Sequence, residues 1–271
     1  MKRLAVLDLG SNTFNLLVIE VEKNQPKIIY ESKTPVKIGE NSFSTKILQP
    51  KPIERGKSAI FSHVLKAKEF NVSQIFGIAT SAIRSASNGE SFISDLNDEF
   101  NLNIEIISGN QEAELIYYGV KSSLNWDGKA MLIDIGGGSN EISIASQNQS
   151  YFSKSYDLGV SRIKQKFDGE LPLSTRRIKE IKDFYLSELE DLKAVLVKHP
   201  TNLIIGSAGT FDSLSQIDSF LKDGKPTNKE VSYELNIEDF IKIHNSLSKL
   251  NLNDLKKVNG LPPFRAEFIV Y

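Results

Sequence analysis

The chain has 271 residues, 33 Lys and Arg against 34 Asp and Glu, a net charge of −1, and no cysteine. That balance offers no basic excess for nucleic acid, and the missing thiols exclude disulfides, thiol catalysis and cysteine-ligated metals. No run approaches the ~20 apolar residues of a membrane span, and Asp8 interrupts the one basic-then-apolar start, so no membrane contact and a cytoplasmic location are expected.

In chain order, apolar runs at 4–9 and 14–21 predict two strands joined by a short turn, with a third over Lys27 to Lys33. Ile53, Ile60, Phe61, Val64 and Leu65 recur at helical spacing within 51–70. A strand at 74–80, a helix at 88–100 and a strand at 104–108 follow. Ser108 and Gln111 form a capping-box pattern, which starts a helix near Gly109 and puts Glu112 in or near its first turn. The turn-rich stretch 118–128 is the expected boundary between domains 1–120 and 121–271. Beyond it "AMLIDIG" and "NEISIAS" predict a second hairpin. Residues 174–198 predict one long amphipathic helix capped by Ser174, with Ile178, Ile181, Tyr185, Leu189, Leu192 and Leu196 on one stripe. "NLIIGSAGT", 202–210, reads as a strand running into small residues.

Strands alternating with helices argue for an α/β fold. The second half echoes the first: each begins with a strand that carries an Asp near its end (Asp8, Asp134) and runs into a turn of small residues. Two similar α/β domains with a cleft between them are therefore expected.

Glycine weakens a strand, so three together at 136–138 need a reason. Without Cβ atoms the backbone N–H groups of Gly136, Gly137, Gly138 and Ser139 can converge on an anion. Gly10, Ser11, Asn12 and Thr13 form the matching turn of the first half. Asp8 and Asp134, beside these turns, suit Mg²⁺ or another divalent cation, which takes few carboxylates and bridges phosphate oxygens. Arg84 follows the strand ending in Thr80 and Ser81, where a phosphate contact suits it; taken alone, a surface Arg is the commoner reading. Glu112 can be ionised by its helix dipole and take a proton from water, although acids are common in first turns for stability alone. His63, His199 and His244 lack metal-ligand spacing, and Trp126 reads as packing.

Together "DLGSNTFNLLV", "ATSAIR", "EIISGNQEAELIYYG", "IDIGGGSNEI" and "IGSAGT" resemble the exopolyphosphatase and guanosine pentaphosphate phosphatase family, within the actin-like superfamily. "GLPPFRAEFIV" near the end is also similar. The resemblance implies two ribonuclease-H-like domains and metal-dependent release of terminal phosphate. It makes Glu112 the catalytic glutamate, Arg84 a phosphate-contacting arginine, and Asp134 a metal-associated aspartate. Glu141 matches a frequent acidic position after the second loop, and Gly206 and Gly209 fall where nucleotide-binding relatives hold adenosine. Gln111 stands where the family often has Glu, Glu114 where it often has Arg, and Asn140 where Thr is common. The family's helical C-terminal region is absent, and a final helix and strand would be expected beyond Tyr271. Dimerisation is a family-level expectation. The expected substrate is inorganic polyphosphate, with guanosine penta- or tetraphosphate as the alternative. Rival classes are an ATP-dependent kinase and a non-catalytic phosphate sensor or actin-like assembling protein.

Overall fold

The computed structural model describes residues 2–23, 25–227 and 232–271. The chain divides into two compact units, Met1–Gly109 and Asn110–Tyr271.

The first unit opens with an antiparallel meander, β1 (Lys2–Leu9), β2 (Thr13–Glu22) and β3 (Gln25–Pro35). The third strand outruns its expected bounds because pairing with β2 continues across an irregularity at Val18/Ile19. After α1 (Ser42–Thr45) and α2 (Pro50–Glu69), β4 (Gln74–Ala79) returns parallel to β1. Then come α3 (Ser81–Arg84), α4 (Gly89–Phe100) and β5 (Ile104–Ile106). The strand order β3-β2-β1-β4-β5 is ribonuclease-H-like. Ala5, Leu7 and Leu9 alternate into the core, as period-two strands require. Helix α2 starts on Pro50, whose missing N–H costs nothing there, and buries Ile60, Val64 and Ala67. Its buried face is narrower than the sequence spacing suggests: Phe61 and Leu65 are exposed.

The second unit carries α5 (Gly109–Ser123), β6 (Ala130–Ile135), β7 (Asn140–Ala145), β8 (Ser150–Tyr156) and α6 (Val160–Lys166). They are followed by α7 (Thr175–Glu188), α8 (Glu190–Lys198), β9 (Leu203–Ser207), α9 (Ala208–Asp223), α10 (Ile237–Leu247) and α11 (Leu252–Leu255). Its sheet order, β8-β7-β6-β9, repeats the first four positions of the other sheet. The turn-rich stretch 118–128 lies inside this unit, where Trp126 packs with Tyr117, Ala130, Leu132 and Ala145. Tyr117 ties α5 to the sheet by donating to the carbonyl of Ser146 at 3.1 Å.

One further element differs from expectation. The long helix over 174–198 is two helices that meet at Leu189 (φ −99°, ψ 17°). No Pro or Gly marks the break; tertiary contacts account for it. Asp191, in the first turn of α8, is held by Lys154 and by the Tyr156 hydroxyl, both on β8. Ser174 does cap α7, accepting from the Arg177 amide at 3.2 Å. The strand within 202–210 ends at Ser207 and runs into small residues as expected, with Gly209 and Thr210 in the first turn of α9.

Candidate functional site

The β6–β7 hairpin pairs Asp134 with Glu141 and Ile135 with Asn140, leaving Gly136 to Ser139 as the turn. The turn closes by a bond from the Gly136 amide to the Ser139 carbonyl at 3.0 Å. The carbonyls of the three glycines are all taken up by the start of α6. Gly136 accepts from Val160 (3.0 Å), Gly137 from Ser161 (2.8 Å) and Arg162 (3.2 Å), and Gly138 from Nε of Arg162 (2.8 Å). In a planar trans peptide the N–H points opposite to the preceding C=O. The amides of Gly137, Gly138 and Ser139 are therefore turned away from α6. Gly159 permits this approach: a Cβ there would lie 2.4 Å from the backbone of Gly138.

Beside the turn stand two carboxylates on adjacent strands. Asp134 Oδ2 accepts from the Ser207 hydroxyl at 2.8 Å, and Glu141 Oε1 from the Ser155 hydroxyl at 2.6 Å. Glu141 is only 3% exposed. Burial pushes its pKa up to about 8, with the charges of Glu112 and Asp134 adding to the shift; Ser155 and Ser139 oppose it by hydrogen bonding. Helix α5 begins at Gly109 and places Glu112 in its first turn, as expected. Asp134, Glu141 and Glu112 thus form one electrostatic cluster within the second unit.

The first unit repeats the hairpin with different chemistry. Asp8 pairs with Asn15 and Leu9 with Phe14, and Gly10 donates to the Thr13 carbonyl at 3.0 Å. The Ser11 carbonyl accepts from Gly39 (3.0 Å), and the Asn12 carbonyl from Val36 (2.9 Å) and Lys37 (2.8 Å). By the same planarity, the amides of Asn12 and Thr13 face the other way. The Ser11 hydroxyl accepts from the amide of Ala82 at 3.2 Å, joining this turn to α3. Asp8 faces no second carboxylate. Asn15 donates to its Oδ2 at 2.8 Å, and Lys33, in register beyond Asn15, adds positive charge. Burial still raises the Asp8 pKa above its usual value. Arg84 anchors Nη1 on the Ile107 carbonyl at 3.0 Å.

Gly206 and Gly209 have a packing reason to be glycine. A Cβ on Gly206 would meet the ring of Phe211, and one on Gly209 would meet the guanidinium of Arg265. Arg265 donates to the Gly209 carbonyl and to the Ser213 hydroxyl, fastening the C-terminal segment to the first turn of α9.

Among the described residues, no three His, Asp or Glu side chains gather into a closed metal cage. A hard divalent cation such as Mg²⁺ does not need one, because it keeps several waters and takes one or two carboxylates. The Asp134–Glu141 pair fits such an ion: burial, with the charges of Glu112 and Asp134 adding to it, raises the pKa of Glu141, a load that a cation would relieve. Asp8, already faced by Asn15 and Lys33, fits it less well. Sequence reasoning missed Ser155, Ser207, Asn15 and Lys33. Each lies across a strand from its carboxylate or its carboxylate's partner, and only the sheet register would have pointed to them.

Two units of ribonuclease-H-like strand order, each with a hairpin turn of small residues, define an α/β protein of the actin-like class. Residues 17–271 match the Ppx/GppA phosphatase family, and the chain belongs to it. Exopolyphosphatase 1 of Mycobacterium leprae is 26% identical over 99% of this chain and 79% of its own length. The bifunctional 3-dehydroquinate synthase/phosphatase of Fusobacterium nucleatum is 31% identical over 98% of this chain and 41% of its own. The crystal structure of an exopolyphosphatase from Cytophaga hutchinsonii superposes with a TM-score of 0.95, at 26% identity, over 99% of this chain and 87% of that one. The chain is accordingly a phosphoanhydride hydrolase of the exopolyphosphatase type. Among the described residues, no helix is long and apolar enough to cross a membrane.

Proposed function

We propose that this protein releases terminal phosphate from inorganic polyphosphate with the help of a divalent cation, Mg²⁺ by its chemistry. The observation that carries this reading is the register pair Asp134–Glu141, with Glu112 in electrostatic reach and an anion-binding turn between the paired strands. Asp134 and Glu141 would hold the cation, which when bound offsets the charge of the polyanion. The amides of Gly137, Gly138 and Ser139 bind the terminal phosphoryl oxygens, and within the first unit its own turn and Arg84 offer phosphate contacts. Glu112 orients a water and takes its proton as the water attacks in line. Phosphoryl transfer of this kind rests on positioning and electrostatics, which rigid strands supply.

The test is phosphate release from polyphosphate, guanosine pentaphosphate and ATP in parallel, with and without EDTA. Polyphosphate is expected to be the best substrate, and EDTA to abolish release. Glu112→Gln should keep binding while cutting turnover by roughly 10²–10⁴. Equal turnover in that variant would remove Glu112 from the role of base. A preference for guanosine pentaphosphate would reassign the substrate and leave the site intact.

A further inference from the structure

Four residues stand in one row across the second sheet. Ser155, Glu141, Asp134 and Ser207 occupy matched positions on β8, β7, β6 and β9. Side chains at matched positions of neighbouring strands share a face, and here the outer two are hydroxyls and the inner two carboxylates. Both hydroxyls turn inward onto the acids, at 2.6 and 2.8 Å.

Ser207 carries the more telling detail. It occupies the N-cap of α9, where a serine ordinarily accepts from the helix's free amides. Its side chain makes no cap bond and donates to Asp134 instead. The hydroxyl is withdrawn from a stabilising local role and committed to the carboxylate. On the other flank, Ser155 donates to the second acid of the pair, Glu141, whose side chain is buried in the sheet. A donor aimed at a carboxylate favours its ionised form and fixes its rotamer.

We propose that Ser155 and Ser207 are positioning residues which, from the two flanking strands, each hold one oxygen of the Asp134–Glu141 pair and so set the pair's geometry for a divalent cation. This rests on the cation reading given above. The serines touch neither substrate nor cation; they act through the acids, as the partners that surround metal-binding carboxylates do elsewhere.

The experiment is Mn²⁺ titration followed by electron paramagnetic resonance on wild-type protein and on Ser155→Ala, Ser207→Ala, Ser155→Thr, Ser207→Thr and Ser153→Ala. Ser153 lies on β8 and shares its hydroxyl with Ser143 and Ser150, so its loss removes a hydroxyl bond without touching an acid. The alanine variants at 155 and 207 should bind Mn²⁺ about 10–100-fold more weakly. The threonine variants, which keep the hydroxyl, should bind close to wild type, and so should Ser153→Ala. Unchanged affinity at 155 and 207, or an equal loss at 153, overturns the positioning role. Wild-type protein that takes up no Mn²⁺ overturns the cation reading itself and this role with it.

Discussion

The two hairpins of this protein share a backbone and differ in charge. In both, the next-to-last residue of the first strand is an Asp that faces a residue of the next strand, with four residues between the last paired positions. In both, the turn's carbonyls are occupied by neighbouring backbone or side-chain donors, so its amides face the opposite way. The residues facing the Asp differ: Asp8 faces Asn15, and Asp134 faces Glu141. In the first unit the neighbours of Asp8 are a neutral amide and a lysine, and the charge is settled inside the sheet. In the second, two acids with a third close by leave a deficit of positive charge. A duplicated scaffold thus offers two similar turns, and on the reading proposed above only the second gathers carboxylates for a cation.

The largest effect that would break this comparison is at Glu141. Its folded-state pKa stands above the ordinary value of 4.5, at about 8. A raised carboxyl pKa means that the folded state holds the proton more tightly than the unfolded one. Its stabilising contribution is full below pH 4.5 and is lost as pH rises towards 8. In EDTA, the wild-type melting temperature should therefore fall over that window, and Glu141→Gln should flatten the fall while abolishing phosphate release. An unchanged slope in Glu141→Gln would show that the second hairpin carries no such deficit.

Next in size is Gly159→Ala, which drives a methyl into the Gly138 backbone. A cost of about 3 kcal/mol in urea unfolding is expected, together with a raised KM, because the turn must shift. Asn15→Ala tests the other hairpin. It takes the amide donor from a largely buried acid and should cost about 2 kcal/mol, measurable by urea unfolding, without changing Mn²⁺ affinity. Weaker Mn²⁺ binding in Asn15→Ala would place the cation at both hairpins. Smallest is Lys33→Ala, an exposed side chain whose removal should alter stability by about 0.5 kcal/mol or less in the same assay.

Both turns were legible in the sequence, because an apolar run that stops at Asp and then at glycine has few other uses. The start of α5 at Gly109 and the Ser174 cap were legible too, since capping is local chemistry. What could not be read was anything set across strands. Asn15 and Glu141 are equivalent positions, yet only the pairing with Asp8 and Asp134 gives them meaning. Ser155 and Ser207 lie 14 and 73 residues from the acids they bond. The division of the long helix at Leu189 escaped for the same reason: its cause is on β8, not in its own spacing.

The orientation of the second turn has a consequence for how the protein reports on itself. The strands on either side are laddered, and their amides should exchange with deuterium only on large opening events. The amides of Gly137, Gly138 and Ser139, turned from α6 by its grip on the glycine carbonyls, lie in the turn between the two laddered strands. Their exchange should slow sharply when an anion settles on them. Three backbone hydrogens would then serve as a label-free occupancy gauge, set in a frame too rigid to move with it.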